Sequence, residues 1–446
     1  MAQTTASDLA RRIIASLRGR GFQAWLVGGC VRDLLLGTEP ADYDVATDAR
    51  PDAVVELFPG AKMVGAHFGV ALVADGRAEV EVATFRSDHA YRDGRHPDQV
   101  RYESDPREDA RRRDFTINAL LMDPASGQVE DFVGGRQDLA EGVIRAIGDP
   151  GARFREDHLR MLRAVRFAAR FGFAIEPSTL RAIRLECAAI GAISAERVRQ
   201  ELTRILTQGG ARRGFELLDE TGLLNEILPE AVAMKGVAQP PEFHPEGDVW
   251  VHTLLMLESM RAPTPALAWG VLLHDVGKPP TFRLEERIRF DGHVETGAKM
   301  AAGILSRLRF SLDDMRQIES LVANHLRFKD LQRMRESKLK RFLRMDRFEE
   351  HLELHRLDCL SSHRNLTNYE FAVRKLAETP VESLKPARLV TGHDLMRMGY
   401  QPGPAFSRML GEVEDAQLES LVRTPEAAAE FIRERFLPPE GRPRED

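Results

Sequence analysis

Three groups of residues in this chain have the types and spacing that chemistry needs. The first lies in GGCVRDLLLGTEPADYDVAT, residues 28–47, where Asp42 and Asp44 stand one residue apart. Two carboxylates at i and i+2 of a strand share one face, which costs free energy unless a cation joins them. Gly28 and Gly29 close the apolar segment AWLV and lack the Cβ that keeps a backbone away from a ligand, and Arg32 follows them. A helix starting there would turn its N–H groups toward an anion. Phosphate donors beside paired carboxylates describe a seat for a nucleoside triphosphate carried by Mg²⁺, which takes few carboxylates and fills its shell with phosphate oxygens. Two such ions would activate a hydroxyl and steady a leaving pyrophosphate. Downstream, AEVEVATFR puts Glu79 and Glu81 on one strand face, as a further acid or as a polar outer surface. RRRDFTINAL supplies guanidinium forks that match phosphate oxygens.

The second group is a series of histidines. His252 lies in DVWVHTLLML, His274 and Asp275 in LLHDVGKPP, His293 in FDGHVETGAKMA, His325 in VANHLRF and Asp358 in LHRLDCLSSH. A carboxylate inside an apolar helix is costly unless something charged meets it, and imidazole with carboxylate suits a divalent transition metal. Lys278, in HDVGK, is placed to reach a phosphate. The third group is basic: Arg111 to Arg113, then Arg160, Arg163, Arg166 and Arg170 at helical spacing, then Arg333, Arg335, Lys338, Lys340, Arg341, Arg344 and Arg347. The last run reads either as a solvated helix face or as an RNA-backbone contact whose affinity falls with salt.

The elements that must hold these groups differ along the chain. AWLVGG, YDVAT, GVALVA and AEVEVATF are short, apolar or alternating, and bounded by turn residues, so strands are expected in the first third only. PDAVVELFP reads as a helix between two of them, and NALLMD with VEDFVGG as a late strand pair. After residues 148–150, Gly-Asp-Pro, the pattern turns helical. EDHLRMLRAVRFAARFG stops at Gly172, and SAERVRQELTRILTQGG opens on Ser194 and closes on two glycines. QPPEFHPEGD breaks the pattern as a loop, and the final PPEGRPRED is expected to fray.

The chain has 446 residues, 43% hydrophobic and 30% charged, with a net charge of −6. That length asks for three or four folding units, and that balance argues against a dedicated nucleic-acid coat protein. Three scattered cysteines, Cys30, Cys187 and Cys359, form neither a disulfide framework nor a zinc ribbon. No run is long enough to span a membrane and no targeting segment is evident, so a cytoplasmic location is expected.

Four motifs in order, GGCVRDLLLG with DYDVAT, RRRDFTINAL, EDHLRMLRAVRFAARFG and SAERVRQEL, resemble the bacterial class II tRNA nucleotidyltransferases and poly(A) polymerases across residues from about 22 to 205. The resemblance implies an α/β nucleotidyltransferase head of the polymerase-β kind at 1–147. It implies a helical neck at 148–212, a helical body with an HD domain at 213–378 (the HD part at about 248–365) and a helical tail at 379–446. It implies that Asp42 and Asp44 bind Mg²⁺, that Gly28, Gly29 and Arg32 meet the triphosphate, and that Arg113, Asp114 and Asn118 contact ribose and phosphates. Asp157 and Arg160 in EDHLR would read the incoming base, with Arg163 and Arg166 beside them at the nucleotide. A carboxylate accepts from the amine of C or A while Arg donates to the adjacent ring acceptors. The plainer reading of Asp157 and Arg160 is an i, i+3 ion pair. RSDHAYRDGRHPDQVRY corresponds to the loop that helps to switch base choice.

The order of the histidines resembles the HD phosphohydrolases. That likeness implies His252, His274, Asp275 and Asp358 as ligands of one divalent ion, a transition metal or Mg²⁺, with His293 and His325 for a second. The implied substrates are CTP, ATP and tRNA for the head, and 2′,3′-cyclic phosphates, 2′-nucleotides or phosphomonoesters at RNA 3′ ends for the HD part. The tail, LVTGHDLMRMGYQPGP onward, resembles the end of the bacterial members and would support tRNA, or is a simple helical closure. The expected function is CCA addition to tRNA. Poly(A) synthesis, CC-only or A-only addition are alternatives, as is an HD phosphohydrolase with a non-catalytic RNA-binding head. Oligomeric state is left open.

Overall fold

The computed structural model describes residues 4–64, 69–89 and 99–436. Backbone contacts divide the chain into two compact units. The first holds residues up to Lys235 with Arg261–Pro265 and Ile304–Phe310; the second holds Gly236–Met260, Ala266–Gly303 and the chain from Ser311 onward.

The first unit is built on β1 (Ala24–Val27), β2 (Asp44–Thr47), β3 (Lys62–Met63), β4 (Val70–Asp75) and β5 (Ala78–Thr84). β6 (Arg86–His89) and β7 (Gln99–Tyr102) form a separate antiparallel pair, and β8 (Leu121–Met122) and β9 (Val129–Glu130) complete the main sheet. The sheet order is β3-β4-β5-β2-β1-β8-β9, and only β2 and β5 run parallel. The expected strands are present, including the late pair β8–β9. The helix Ala6–Gly19 turns Leu9, Ile13, Ile14 and Leu17 inward, the i, i+4, i+5, i+8 set that makes one apolar stripe. On the sheet, Val27, Ala46, Phe85, Ala110 and Leu121 form a buried cluster. Val27 lies opposite Asp44, and Asp44 beside Glu81. These three therefore share one sheet face, at the end where β1 runs out.

Asp42 departs from expectation. Strand β2 begins at Asp44, and Asp42 sits in an exposed bend before it. The segment EDHLRMLRAVRFAARFG is likewise broken. One helix spans Pro150–Glu156, Asp157 is extended (φ −147°, ψ 104°), and a second helix spans Leu159–Phe171 and stops on left-handed Gly172. Strands are not confined to the first third. After Gly172 the chain runs extended, and Ala174–Ile175 pairs in parallel with Val143–Ile144, whose backbone groups would otherwise lack partners. The middle of the base-switching loop, residues 90–98, and the terminal PPEGRPRED lie outside the described residues.

The second unit is helical apart from one small hairpin, Arg283–Leu284 with Ile288–Arg289. Its core helices Val249–Ser259 and Pro265–Leu273 are apolar nearly all round, as helices enclosed by others must be. Much of the basic run from Arg333 to Arg347 is paired with acidic or carbonyl groups of the chain itself, although only Lys340 in it is buried. Arg335 and Arg341 reach Asp415 at 2.8 and 2.9 Å, and Arg341 and Arg344 reach Glu414 at 2.6 and 2.5 Å. Lys340 donates to the Leu418 carbonyl at 2.6 Å. The helix Glu336–Leu343 is thus clasped to the acidic side of Pro404–Leu418, while Arg333, Arg335 and Lys338 are exposed. The tail beyond has its own buried cluster around Leu395, Tyr400, Val413 and Ile432. Among the described residues no helix is long and apolar enough to cross a membrane.

Candidate active site and metal centre

In the first unit the turn after β1 explains one glycine and not the other. Gly28 has φ 77° and ψ −134°, which an L side chain rarely adopts. A Cβ there would lie 3.1 Å from an Arg113 guanidinium nitrogen and 3.7 Å from Asp44 Oδ2. At Gly29 a Cβ would meet only ordinary contact, 3.5 Å from Arg32. The close approach assigned to the glycine pair therefore belongs to Gly28. Burial pushes the Asp44 carboxyl up to about 6, Glu81 and Asp42 add like-charge repulsion, and Arg113 offsets part of it. Glu79, on the same strand face as Glu81, lies two residues further along β5, opposite Ala74 of β4. Glu81 is thus the acid beside Asp44.

Arg113 is anchored by Asp109 at 3.0 Å, and Asp109 also takes Arg112 at 2.7 Å. Burial alone would raise Asp109, but the two arginines hold it below the usual carboxylate range. The preceding helix Pro106–Arg111 is started by Asp105, whose side chain accepts from the Arg107 N–H.

Arg32 is placed differently from its expected role at a triphosphate. It is buried, paired with Asp33 at 2.7 Å, and its guanidinium lies over the rings of Phe167 and Phe171 at 5.2 and 4.7 Å. It also donates to Asn118 Oδ1 at 2.6 Å. Asn118 in turn donates to Asp114 at 3.0 Å, and Arg163 donates to the other Asp114 oxygen at 2.8 Å. This relay joins the helix Gly29–Leu35, the turn Thr116–Asn118 and the helix Leu159–Phe171. Burial would raise Asp114, but Arg163 and Asn118 hold it well below the usual range.

Asp157 and Arg160 do not pair with each other. The Arg160 N–H still donates to the Asp157 carbonyl at 3.0 Å, but with Asp157 extended the two side chains point to different partners. Asp157 instead accepts from Arg197 at 3.0 Å and from the Leu159 N–H at 3.1 Å. Arg160 reaches Glu156 at 2.6 Å and the Arg153 carbonyl at 3.0 Å. Arg153 donates to the carbonyls of Arg112 and Arg113 at 2.5 and 2.6 Å, which ties the RRR segment to the base-reading segment. Arg166 is paired with buried Glu201 at 2.6 Å. Arg153, Arg197, Glu201 and Asp109 were not singled out from the sequence. The signal there is local for Asp109, three and four residues before Arg112 and Arg113, and for Arg153, three residues before Glu156, while Arg197 and Glu201 lie in SAERVRQEL and meet distant partners.

In the second unit the histidines converge. His274, His293 and His325 each place Nδ1 at 2.7–2.8 Å from the carbonyl three residues back, those of Val271, Phe290 and Val322. With Nδ1–H donated there, each Nε2 lone pair is left for the centre. The three Nε2 atoms lie 3.1, 3.9 and 3.8 Å from the carboxylate oxygens of Asp275. His252 Nε2 lies 3.1 Å from Asp358 and its Nδ1 2.7 Å from Glu246. The Nε2 atoms of His274 and His293, and both ring nitrogens of His252, are buried without a well-formed hydrogen bond. Orphaned, converging imidazole nitrogens around carboxylates are the donor set of a divalent cation. Among the described residues, three groups could hold one: His244, Glu246 and His252; His252, His274 and Asp275; and Asp275, His293 and His325.

Electrostatics differ within the cluster. Burial would lower His252, but the carboxylates of Asp358 and Glu246 beside it push it up to about 9. His325 is pushed down to about 4 by burial. Burial would raise Asp275, but His274 and Lys278 hold it well below the usual range. Lys278, expected to reach for phosphate, is itself buried between Asp275 at 2.7 Å and Gln239 at 2.6 Å. Gly277 permits close packing: a Cβ would come within 2.1 Å of the His293 carbonyl and 2.5 Å of the Gly297 nitrogen.

The chain matches three family models: the poly A polymerase head domain over residues 24–145, the probable RNA- and SrmB-binding site of polymerase A over 172–234, and the HD domain over 249–355. It is 33% identical over 407 residues to the CCA-adding enzyme of Levilactobacillus brevis, covering 91% of this chain and 92% of that one. It is 41% identical over 236 residues to poly(A) polymerase I of Escherichia coli, half of each chain. The crystal structure of the Bacillus stearothermophilus CCA-adding enzyme in complex with CTP superimposes with a TM-score of 0.72 at 28% identity, covering 97% of this chain and 98% of that one. A relative this similar along nine-tenths of both chains identifies the protein as a member of the family of CCA-adding enzymes and bacterial poly(A) polymerases.

Proposed function

We propose that this chain is a tRNA nucleotidyltransferase that adds CMP and AMP to the tRNA 3′ end from CTP and ATP, its own side chains selecting the base. The observation that carries this reading is the end of β1, where Gly28, Arg113, Asp44 and Glu81 meet. An acid pushed up by burial and by its acidic neighbours, with one arginine beside it and a glycine in front, fits a phosphate–cation ligand better than any internal role. Asp42 and Asp44 would hold Mg²⁺, which when bound activates a hydroxyl and offsets charge on pyrophosphate. Arg113, held in place by Asp109, meets phosphate oxygens. In the reaction the terminal ribose hydroxyl oxygen bonds to the α-phosphorus, the bond from that phosphorus to the bridging oxygen breaks, and pyrophosphate leaves. The relay Arg32–Asn118–Asp114–Arg163 keeps the head and the base-reading helix in register. Asp157 accepts from the exocyclic amine of C or A, since each of its oxygens keeps a lone pair beyond its bond to Arg197 or Leu159. Arg160 has donors beyond those used by Glu156 and Arg153.

The test is incubation with tRNA ending at the discriminator base, at C or at CC, with CTP, ATP or both, followed by sequencing of the products. Ordered addition of C, C and A is expected. No incorporation in the presence of Mg²⁺ overturns the proposal, and long A tails on unrelated RNA replace it with poly(A) synthesis.

The second unit favours a second activity, metal-dependent hydrolysis of phosphoesters such as 2′,3′-cyclic phosphates at RNA 3′ ends. His252, His274, Asp275 and Asp358 would hold one divalent ion, with His293 and His325 for another. Hydrolysis that persists unchanged in Asp275→Asn overturns it.

A further inference from the structure

His252 is held differently from the other three histidines of its cluster. Those three are aimed by a backbone carbonyl, while the corresponding Val249 carbonyl accepts the Thr253 hydroxyl at 2.9 Å. The Nδ1 of His252 instead meets a carboxylate, Glu246 Oε1 at 2.7 Å, and the same oxygen takes His244 Nδ1 at 2.8 Å. The Glu246 side chain is 6% exposed and belongs to the loop QPPEFHPEGD.

That loop is closed at its base. Ala238 bridges Asp248, Gln239 N–H donates to the Gly247 carbonyl at 2.8 Å, and Val249 N–H donates to the Val237 carbonyl at 3.0 Å. Asp248 also caps the helix Val249–Ser259, its side chain accepting from the Val251 N–H, so His252 sits at a set height in the first turn. The other end of the loop supplies Gln239, which holds Lys278, which holds Asp275. One closed loop thus backs two of the central groups.

We propose that Glu246 is a positioning residue of the metal centre. With its carboxylate 2.7 Å from Nδ1 of His252, it favours the tautomer that carries the proton there, so that Nε2, beside Asp358, is left to the bound ion, and it strengthens that nitrogen as a donor. His244 steadies Glu246 and packs edge-on against the His252 ring, with the ring centroids 5.0 Å apart. The inference rests on the reading of the second unit as a metal centre.

The experiment uses the full chain, stripped with a chelator and dialysed against Co²⁺. Affinity is taken from bound metal, and geometry from the visible absorption of the ion. The wild-type chain binds Co²⁺. Glu246→Ala loses about 10- to 100-fold in affinity and shifts the spectrum, and near-isosteric Glu246→Gln, which keeps an acceptor oxygen, falls between. A merely structural role would lower the melting temperature of the metal-free chain and leave the spectrum of the bound ion alone. Wild-type affinity and spectrum in both variants overturn the positioning role while the metal centre stands. Two bound ions, one of them lost in His244→Ala, overturn it too, because the ion would then sit on His244, Glu246 and His252. A wild-type chain that binds no Co²⁺ overturns the inference and the metal-centre reading together.

Discussion

Asp44 in the first unit and Asp275 in the second are both acids facing other titratable groups, and they are pushed in opposite directions. Asp44 is pushed up to about 6 by burial first and then by Glu81 and Asp42, with Arg113 as its counter-charge. Asp275 is only 2% exposed, yet Lys278 and the histidines around it hold it well below the usual range. The first arrangement stores repulsion that an incoming cation and triphosphate relieve. The second is neutralised by the protein itself, with ring orientation set by backbone carbonyls and by Glu246. The contrast separates a centre completed by its substrate from one assembled by folding.

The sharpest way to break this comparison is Asp44→Asn. Loss of a cation-holding carboxylate should cost roughly 10³-fold in nucleotide addition to tRNA, measured in single turnover. Retention of activity within tenfold would mean that the repelled acid is not the cation seat. Next in size is Gly277→Ala. Its Cβ would press on the His293 carbonyl and the Gly297 nitrogen, backbone atoms that cannot step aside. A loss of about 2 kcal/mol is expected in denaturant unfolding of the second unit, with weakened metal uptake. Unchanged stability there would show that the centre is looser than the contrast requires.

The same Asp44→Asn variant should be more stable than wild type without metal, by about 1–2 kcal/mol at pH 7. The sign follows from linkage. A carboxyl whose folded pKa is raised binds its proton more tightly in the folded chain, so stability falls as pH rises from the usual carboxylate range through about 6 and stays lower above it. The advantage of the variant should therefore shrink in melts taken toward pH 4. A smaller effect sharpens the role of Glu81. Nucleotide addition should fall as pH drops through about 6, and Glu81→Gln, by removing a like charge, should move that acid limb of kcat/KM lower by roughly half a pH unit. A limb that moves up instead would contradict the assigned repulsion. Smallest is Arg341→Ala at the tail clasp, where a partly exposed ion pair contributes about 0–1 kcal/mol. Its effect should fade in high salt, as melting at two ionic strengths would reveal.

Much of both centres is written locally. Apolar runs bounded by turn residues mark β1, β2, β4 and β5, and short motifs name Asp42, Asp44 and the histidines. Spacing misled where a helix was assumed to run unbroken. Asp157 sits at a kink, so its partner is Arg197, forty residues away, and the arginine three residues on turns to Glu156. Charge runs misled where the partner lay in a distant segment: the basic stretch before Arg347 meets Glu414 and Asp415 of the tail helix. Glu246 carried no signal beyond membership of a Pro- and Gly-rich loop.

The sequence by itself determined which residues can do chemistry, because residue type and short-range periodicity are local properties of the chain. Only the tertiary structure decided which oppositely charged groups meet, which of two adjacent glycines must be a glycine, and which acid stands beside Asp44. Those depend on strand register, on helix breaks and on the close approach of segments far apart in sequence, where a shift of one residue turns a side chain to the other face.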